Sequence, residues 1–127
     1  MEKPEYFEQV GTRGYYRPVG EVTLEQAITM ITGAMIYARE NGMTDLLANV
    51  LGLSAAAYTQ VTIFDRYAFA VRWAESARSS LRVVIVTRPD IIDPDKVGLL
   101  MAQNRGVSGE VFTNEADAIA WLDGNAS

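Results

Sequence analysis

The sequence predicts one α/β domain over residues 1–127, with a mixed, mainly parallel sheet of about five strands and four helices. Short apolar runs typical of strands alternate with longer segments in which apolar residues recur at helical spacing. The first two runs are joined by a glycine-containing turn, which indicates an N-terminal antiparallel hairpin. The predicted order is β-β-α-β-α-β-α-β-α.

The opening hairpin is predicted from two strand-like runs, Glu5–Val10 and Arg13–Val19. Gly11 and Gly14 flank the turn, where glycine readily adopts the positive φ that a tight hairpin needs. Pro18 lies near the end of the second run, a position that fits a strand end or a sheet edge.

The first helix is predicted after Thr23, because Gln26 three residues later completes a capping box. Gly42 predicts its C-terminal end. Gly33, in the middle of this helix, is interpreted as a point of close packing against a neighbouring element. The next strand is predicted over Asp45–Leu51.

A second helix is predicted over about Thr62–Arg78, after an irregular segment at Gly52–Gln60. The continuous apolar run Val83–Thr87 predicts a strand that is buried on both faces. A third helix is predicted to begin at Asp93-Pro94, with Asp as the N-cap and Pro at the first helical position.

The third helix is predicted to end at Gly106, and a last short strand follows at Glu110–Thr113. Asn114 is predicted to cap the final helix, which ends at Gly124. Strands and helices that alternate in this way require a largely parallel sheet.

Composition excludes several kinds of chemistry. The chain has no histidine and no cysteine, so it cannot assemble a histidine-based triad, a thiol nucleophile or a cysteine-ligated zinc site. Its net charge of −5 disfavours nucleic-acid binding. Asp93 and Asp95 suit a helix N-terminus better than a metal site. We expect no enzyme activity, no cofactor and no bound metal.

The apolar runs are far shorter than the roughly 20 residues that span a bilayer, so no membrane insertion is predicted. The absence of cysteine fits a reducing compartment, and the start of the chain has no basic-then-apolar leader. We therefore expect a cytoplasmic location.

Several segments resemble a bacterial family of small STAS-like proteins, which are similar in fold to anti-sigma factor antagonists and to the cytoplasmic domains of sulfate transporters, with a further likeness to CRAL-TRIO lipid-binding domains. The resemblance covers roughly Gly20 to Leu122 and is densest after Asp65-Arg66-Tyr67. The segments that carry it are Arg88–Gly98, Asn104–Gly106, Val111–Thr113 and Ala118–Leu122. It implies a β-α sandwich with a non-enzymatic, regulatory or protein-binding role.

Anti-sigma factor antagonists are phosphorylated on a serine that usually follows an aspartate at the start of the helix after the central strand. The comparable segment here, Asn49–Thr62, has no Asp-Ser pair. Ser54, Thr59 and Thr62 are therefore three candidate phosphoacceptors.

The loops that follow the third and fourth strands predict a ligand-binding edge, because ligands of parallel sheets bind outside the carboxyl ends of the strands. The positive end of the second helix favours an anion there. Alternatively, Thr62 only caps its helix and Arg88 only pairs with a neighbouring aspartate. A shallow site is expected rather than a sealed lipid cavity. The candidate ligand-binding residues are Asn49, Ser54, Thr59, Thr62 and Arg88.

Phe69 and Trp73 lie four residues apart on the second helix, beside Arg66. This group either packs under the hairpin or a neighbouring helix, or forms an exposed interface for a partner or a second copy, since Trp and Arg often anchor interfaces. For Trp121 in the last helix, core packing is favoured.

Two functions follow from these observations. The first is a regulatory STAS-like module that binds a protein partner or itself as a homodimer. The alternative is a carrier or sensor of a small anionic metabolite or a lipid.

Overall fold

The computed structural model describes residues 2–54, 61–78, 80–90 and 96–124. Within them the order of elements is the predicted one, which confirms the α/β fold class. The elements are β1 (Phe7–Val10), β2 (Arg13–Tyr16), α1 (Leu24–Glu40), β3 (Asp45–Asn49), α2 (Ile63–Ala77), β4 (Arg82–Val86), α3 (Val97–Asn104), β5 (Ser108–Phe112) and α4 (Glu115–Gly124).

The five strands form one sheet in the order β1-β2-β3-β4-β5. β1 pairs antiparallel with β2, and every later pairing is parallel. The carboxyl ends of β2 to β5 therefore meet at one end of the sheet, as the alternating pattern predicted.

The hairpin strands are shorter than predicted. β1 begins at Phe7 because the preceding Tyr6 has a positive φ of 64°. β2 ends at Tyr16, and one residue later the Arg17 amide donates to the Tyr6 carbonyl, 3.1 Å away, outside the ladder. The other strand boundaries differ from the prediction by one or two residues, because the sequence pattern does not encode where a ladder stops.

Local sequence defines the ends of α1 and α2. Thr23 and Gln26 form the predicted capping box on α1, and Gly42 ends that helix with φ 76°. Thr62 forms a second capping box with Asp65 at the start of α2. The interpretation of Gly33 is wrong: a Cβ added there would meet nothing within 4 Å. This glycine lies on an open side of α1.

The start of α3 also differs from the prediction. The helix begins at Val97 with Lys96 as the N-cap, whereas the sequence indicates Asp93-Pro94, two residues that lie outside the described part of the chain. Gly98 packs against α2, where an added Cβ would lie 3.3 Å from the Arg66 Cβ.

The sheet has two differently covered faces. The three-helix face is covered by α1, α2 and α3 and contains the larger core, in which Met35, Leu46, Trp73 and Val83 are fully buried. The α4 face is covered by α4 and has a smaller core built around residues such as Leu47, Val84, Ala118 and Leu122. Trp121 packs against this smaller core, as predicted.

Candidate functional site

An apolar cavity of about 150 Å³ lies between the three-helix face of the sheet and helices α1 to α3. Its wall includes Val50, which directly follows β3, and Thr87, which directly follows β4. The cavity is therefore at the carboxyl end of the strands, the end where the sequence predicts ligand binding. Most of the wall is aliphatic or aromatic, with contributions from Ala27, Ile28, Ile31, Phe69, Ile85 and Leu99.

The cavity extends along the helices. On α2, its wall includes residues from Asp65 to Trp73, a separation of eight residues that corresponds to about 12 Å along a helix. The cavity is therefore elongated along α2, and a shallow site stays a prediction. Small side chains such as Ala27 on α1 leave space between helix and sheet without disrupting the surrounding core.

Two buried polar atoms in the wall of this cavity have no hydrogen-bond partner in the described part of the chain, Trp73 Nε1 and Thr87 Oγ1. Trp73 is 2% exposed and Thr87 is 5% exposed. Burying such a group without a partner costs about 1 to 3 kcal/mol, and folded proteins rarely leave one unsatisfied. A third atom of this kind, Arg39 Nε, belongs to a residue outside the cavity wall.

Three charged residues contribute to the wall, Asp65, Arg66 and Lys96. The Asp65 carboxylate is already engaged, because it accepts hydrogen bonds from the Thr62 amide at 2.8 Å and from the Thr62 hydroxyl at 3.0 Å. The ammonium of Lys96 lies 3.5 Å from Glu110, in an ion pair that is partly exposed. The wall therefore includes one ammonium, at Lys96, whose ion pair with Glu110 is long and partly exposed.

The arrangement offers apolar contacts and hydrogen-bonding groups rather than reactive ones. The Thr87 hydroxyl has no base within hydrogen-bond distance among the described residues, so nothing there activates it as a nucleophile. In the same residues no three carboxylates come together as a metal ion would need. Asp93 and Asp95 lie outside the described ranges.

The structure places four of the five predicted ligand-binding residues near the carboxyl end of the sheet, but none of the four is part of the cavity wall. Asn49 lies on the α4 face, where its amide donates to Glu115 at 2.7 Å and its carbonyl accepts from the Leu51 amide at 3.0 Å. Ser54 accepts a hydrogen bond from the Val22 amide at 3.3 Å, which ties its loop to the start of α1.

Thr62 and Arg88 make the interactions of the alternative interpretation, a helix cap and an ion pair with a neighbouring aspartate. Thr62 caps α2, and its hydroxyl accepts from the Asp65 amide at 3.1 Å. The Arg88 guanidinium donates to both carboxylate oxygens of Asp90, at 3.1 and 2.7 Å. Thr59, the fifth candidate and also a candidate phosphoacceptor, lies outside the described residues.

Of the candidate interface residues on α2, Trp73 is buried in the larger core, and Phe69 and Arg66 are partly buried. The rings of Phe69 and Trp73 are 5.7 Å apart, and Phe69 packs against that core. Trp73 reaches β5, since a Cβ added at Gly109 would lie 2.6 Å from its ring. An exposed interface at Trp73 is therefore excluded in this conformation, because α2 is the middle helix of three and turns this side toward the sheet. Arg66, beside them, packs on Gly98 of α3.

Sequence reasoning missed Thr87 and Lys96 as wall residues and assigned Trp73 to a different role. One sequence feature could have indicated Thr87, because it is a hydroxyl residue that ends a continuous apolar run. Lys96 could have been indicated by its rarity, since the chain has only two lysines. Their convergence on one cavity depends on the packing of α3 against α2, which no local pattern specifies.

A second polar cluster lies at the amino end of the strands, on the α4 face. Asp45 is buried and accepts from Arg82 at 2.7 Å and from Arg13 at 3.3 Å. Arg13 also pairs with Asp123 of α4 at 2.9 Å. Because these charges are matched within the chain, the cluster is a structural ion-pair network that joins three strands to α4.

A third polar group, at the other end of α4, is also matched. Arg17 Nε donates to Glu115 at 2.7 Å, and Asn49 donates to the same carboxylate. The hydrogen bond from Arg17 lowers the pKa of Glu115 below its ordinary value, with a smaller contribution from Asn49, although partial burial opposes the shift.

Comparison with known proteins gives no relative: no family model, no curated protein and no solved structure matches the chain. Among the described residues, no helix has the length and apolar character needed to cross a membrane. Function therefore has to be inferred from the geometry of the chain's own residues.

Proposed function

We propose that the domain is a non-enzymatic carrier or sensor that binds a small, largely apolar ligand in the cavity between the sheet and helices α1 to α3. The observation that carries this proposal is the coincidence, in one apolar wall, of the unpartnered Trp73 Nε1 and Thr87 Oγ1. A bound molecule that accepts a hydrogen bond from one of these groups removes the free-energy cost of burying that group without a partner. In the ligand-free protein this cost remains.

The size of the cavity limits the ligand. A cavity of about 150 Å³ accommodates a molecule the size of benzene, so the apolar body of the ligand has about six carbon atoms. The location supports the same function, because sites at the carboxyl ends of parallel strands are where α/β folds commonly bind ligands.

Indole N–H resonances give a direct test, because the chain has two tryptophans and only one of them, Trp73, is in the cavity wall. Cyclohexanone and cyclohexanol, which both carry an acceptor oxygen, are titrated into 15N-labelled protein. We expect a saturable shift of the Trp73 resonance with a Kd below about 1 mM, while the Trp121 resonance on the α4 face does not move.

Two leucine substitutions on α1 provide the matched pair for this experiment. Ala27→Leu adds three carbon atoms at the cavity wall and abolishes the Trp73 shift. Gly33→Leu adds a side chain where an added Cβ meets nothing within 4 Å, and binding persists. The proposal fails if no probe produces a saturable shift at Trp73 and protein purified from its own cells shows only the bare chain mass by native mass spectrometry.

A second candidate function is binding of a second copy of the chain, which agrees with the regulatory role that the STAS-like resemblance implies. It is supported by two aromatic side chains on the outer side of α2, Phe64 at 81% exposed and Tyr67 at 48% exposed. They are three residues apart, so they lie on one helical surface. Sedimentation equilibrium tests it: the wild type dimerises and Phe64→Ser shifts the protein to monomer. A monomeric wild type at high concentration rejects this candidate.

A further inference from the structure

The amino end of α3 differs from the amino ends of α1 and α2. The first two helices begin with capping boxes and have an acidic residue in the first turn, Glu25 and Asp65 respectively. The first turn of α3 has no acidic residue, and the side chain of its N-cap residue makes no capping hydrogen bond. The positive end of this helix dipole is therefore not neutralised by its own first turn.

The N-cap residue of α3, Lys96, contradicts two local preferences at once. Its backbone is left-handed, with φ 49° and ψ 44°, a conformation that costs energy for a residue with a side chain. Its positive charge also lies at the positive end of the helix dipole, where acidic residues are favoured. Local rules broken in this way are typical of functional positions.

Lys96 and the first turn of α3 belong to the cavity described above. Lys96, Gly98 and Leu99 all line its wall, together with Thr87 and Trp73. The buried, unpartnered Thr87 hydroxyl is an independent indication of a ligand in this cavity, since it does not depend on the helix. An apolar wall, the unpartnered Thr87 hydroxyl and the amino end of α3, whose first turn has no acidic residue, thus meet in one place.

We infer, on the basis of the proposed function, that the ligand is a small apolar carboxylic acid. Its carboxylate binds Lys96 and the amino end of α3, and its apolar body lies against the side chains of α1, α2 and the sheet. Backbone N–H groups at a helix end and an ammonium are both suited to a carboxylate. The Thr87 hydroxyl donates to one carboxylate oxygen. The ion pair between Lys96 and Glu110 at 3.5 Å is long enough to yield to a ligand anion.

The test compares cyclohexanecarboxylate with cyclohexanecarboxamide, which have the same shape but differ in charge. Both are titrated into the full chain, with the Trp73 indole resonance as the readout. We expect the carboxylate to bind at least about tenfold more tightly than the amide, because charge-assisted hydrogen bonds are the stronger ones.

Three variants then test whether Lys96 is responsible for the tighter binding of the carboxylate. Lys96→Gln lowers the ratio of the two affinities to about threefold or less and leaves the affinity for the amide unchanged. Arg105→Gln makes the same change of charge at the other end of α3 and leaves the ratio at its wild-type value. Glu110→Gln frees Lys96 from its ion pair and raises the ratio.

The outcomes separate this inference from the proposed function. Equal affinity for acid and amide in the wild type overturns the carboxylate inference but leaves the cavity as a binding site. If Lys96→Gln weakens both ligands equally, Lys96 acts only on the shape of the site, and the inference is again overturned. Failure of both ligands to shift Trp73 overturns the inference together with the proposed function.

Discussion

The two faces of the sheet satisfy their buried polar groups in different ways. On the α4 face, Asp45 is paired with two arginines, and Glu115 receives hydrogen bonds from Arg17 and Asn49. On the three-helix face, the wall of one cavity leaves Trp73 Nε1 and Thr87 Oγ1 without partners in the described part of the chain. These polar groups of the α4 face are paired within the chain, whereas the three-helix face retains hydrogen-bonding capacity for another molecule.

The largest effect is expected from breaking the network on the α4 face. Asp45→Ala leaves Arg13 and Arg82, both mostly buried, without their shared carboxylate, which is expected to cost about 3 to 5 kcal/mol. Urea unfolding measures the loss. Asp90→Ala, which removes a more exposed pair with Arg88, is the control and is expected to cost about 1 kcal/mol or less. Similar losses in the two variants would contradict the structural role assigned to Asp45.

The next effect concerns the contact that holds Trp73 against β5. Gly109→Ala places a Cβ 2.6 Å from the Trp73 ring and in contact with the Val83 carbonyl, and this overpacking is expected to cost about 2 to 3 kcal/mol. The thermal midpoint measures it.

Gly33→Ala on α1 is the control for that variant. It meets no neighbour within 4 Å and is expected to stabilise the protein by about 1 kcal/mol, because alanine favours a helix. A neutral Gly109→Ala would mean that Trp73 can move away from β5.

Two buried threonines, Thr87 and Thr32, allow a direct comparison of an unpartnered hydroxyl with a hydrogen-bonded one. Thr87→Val removes an unpartnered hydroxyl and is expected to stabilise the ligand-free protein by about 1 kcal/mol, because a desolvation cost disappears. Thr32→Val removes a hydroxyl that donates to the Ile28 carbonyl at 2.8 Å and accepts from Arg72 at 3.2 Å, so it is expected to destabilise by about 1 kcal/mol. Equal effects of the same sign would show that the Thr87 hydroxyl is satisfied.

The smallest effect is a pH dependence on the α4 face. The pKa of Glu115 is lowered in the folded state, so its contribution to stability is present above its ordinary pKa and is lost as pH falls through the folded pKa. The Glu115→Gln variant is therefore expected to lose less unfolding free energy than the wild type as the pH falls below about 5. The difference is expected to be about 1 kcal/mol or less, because the pair is partly exposed.

Glu8→Gln is the control for the pH dependence. Glu8 lies 3.9 Å from the same arginine but is mostly exposed, so this variant removes a carboxylate near Arg17 without removing the hydrogen bond to Glu115. Unfolding free energy measured between pH 3 and pH 7 gives the comparison; coincident curves for wild type and Glu115→Gln would count against the assigned interaction.

Sequence alone determined the features that depend on residues close together in the chain. The capping box at Thr23, the turn at Gly11 and the stop at Gly42 form as predicted, and Thr62 caps α2 as the alternative interpretation had it, because the partners lie within a few residues. Alternating strand and helix patterns determined the order of elements and hence a mainly parallel sheet. The cavity lies at the carboxyl end of the strands, where ligand binding was predicted, although the predicted residues do not line it.

Tertiary structure decided which side chains meet there. From the sequence, Phe69 and Trp73 belong either to a core or to an exposed interface, and the position of α2 between two other helices buries Trp73 and packs Phe69 against the core. The pairing of Asp45 with Arg13 and Arg82 joins residues 32 and 37 positions apart. The cavity itself depends on packing between elements, because a gap with unpartnered polar atoms is a property of how helices and sheet fit together and not of any one segment.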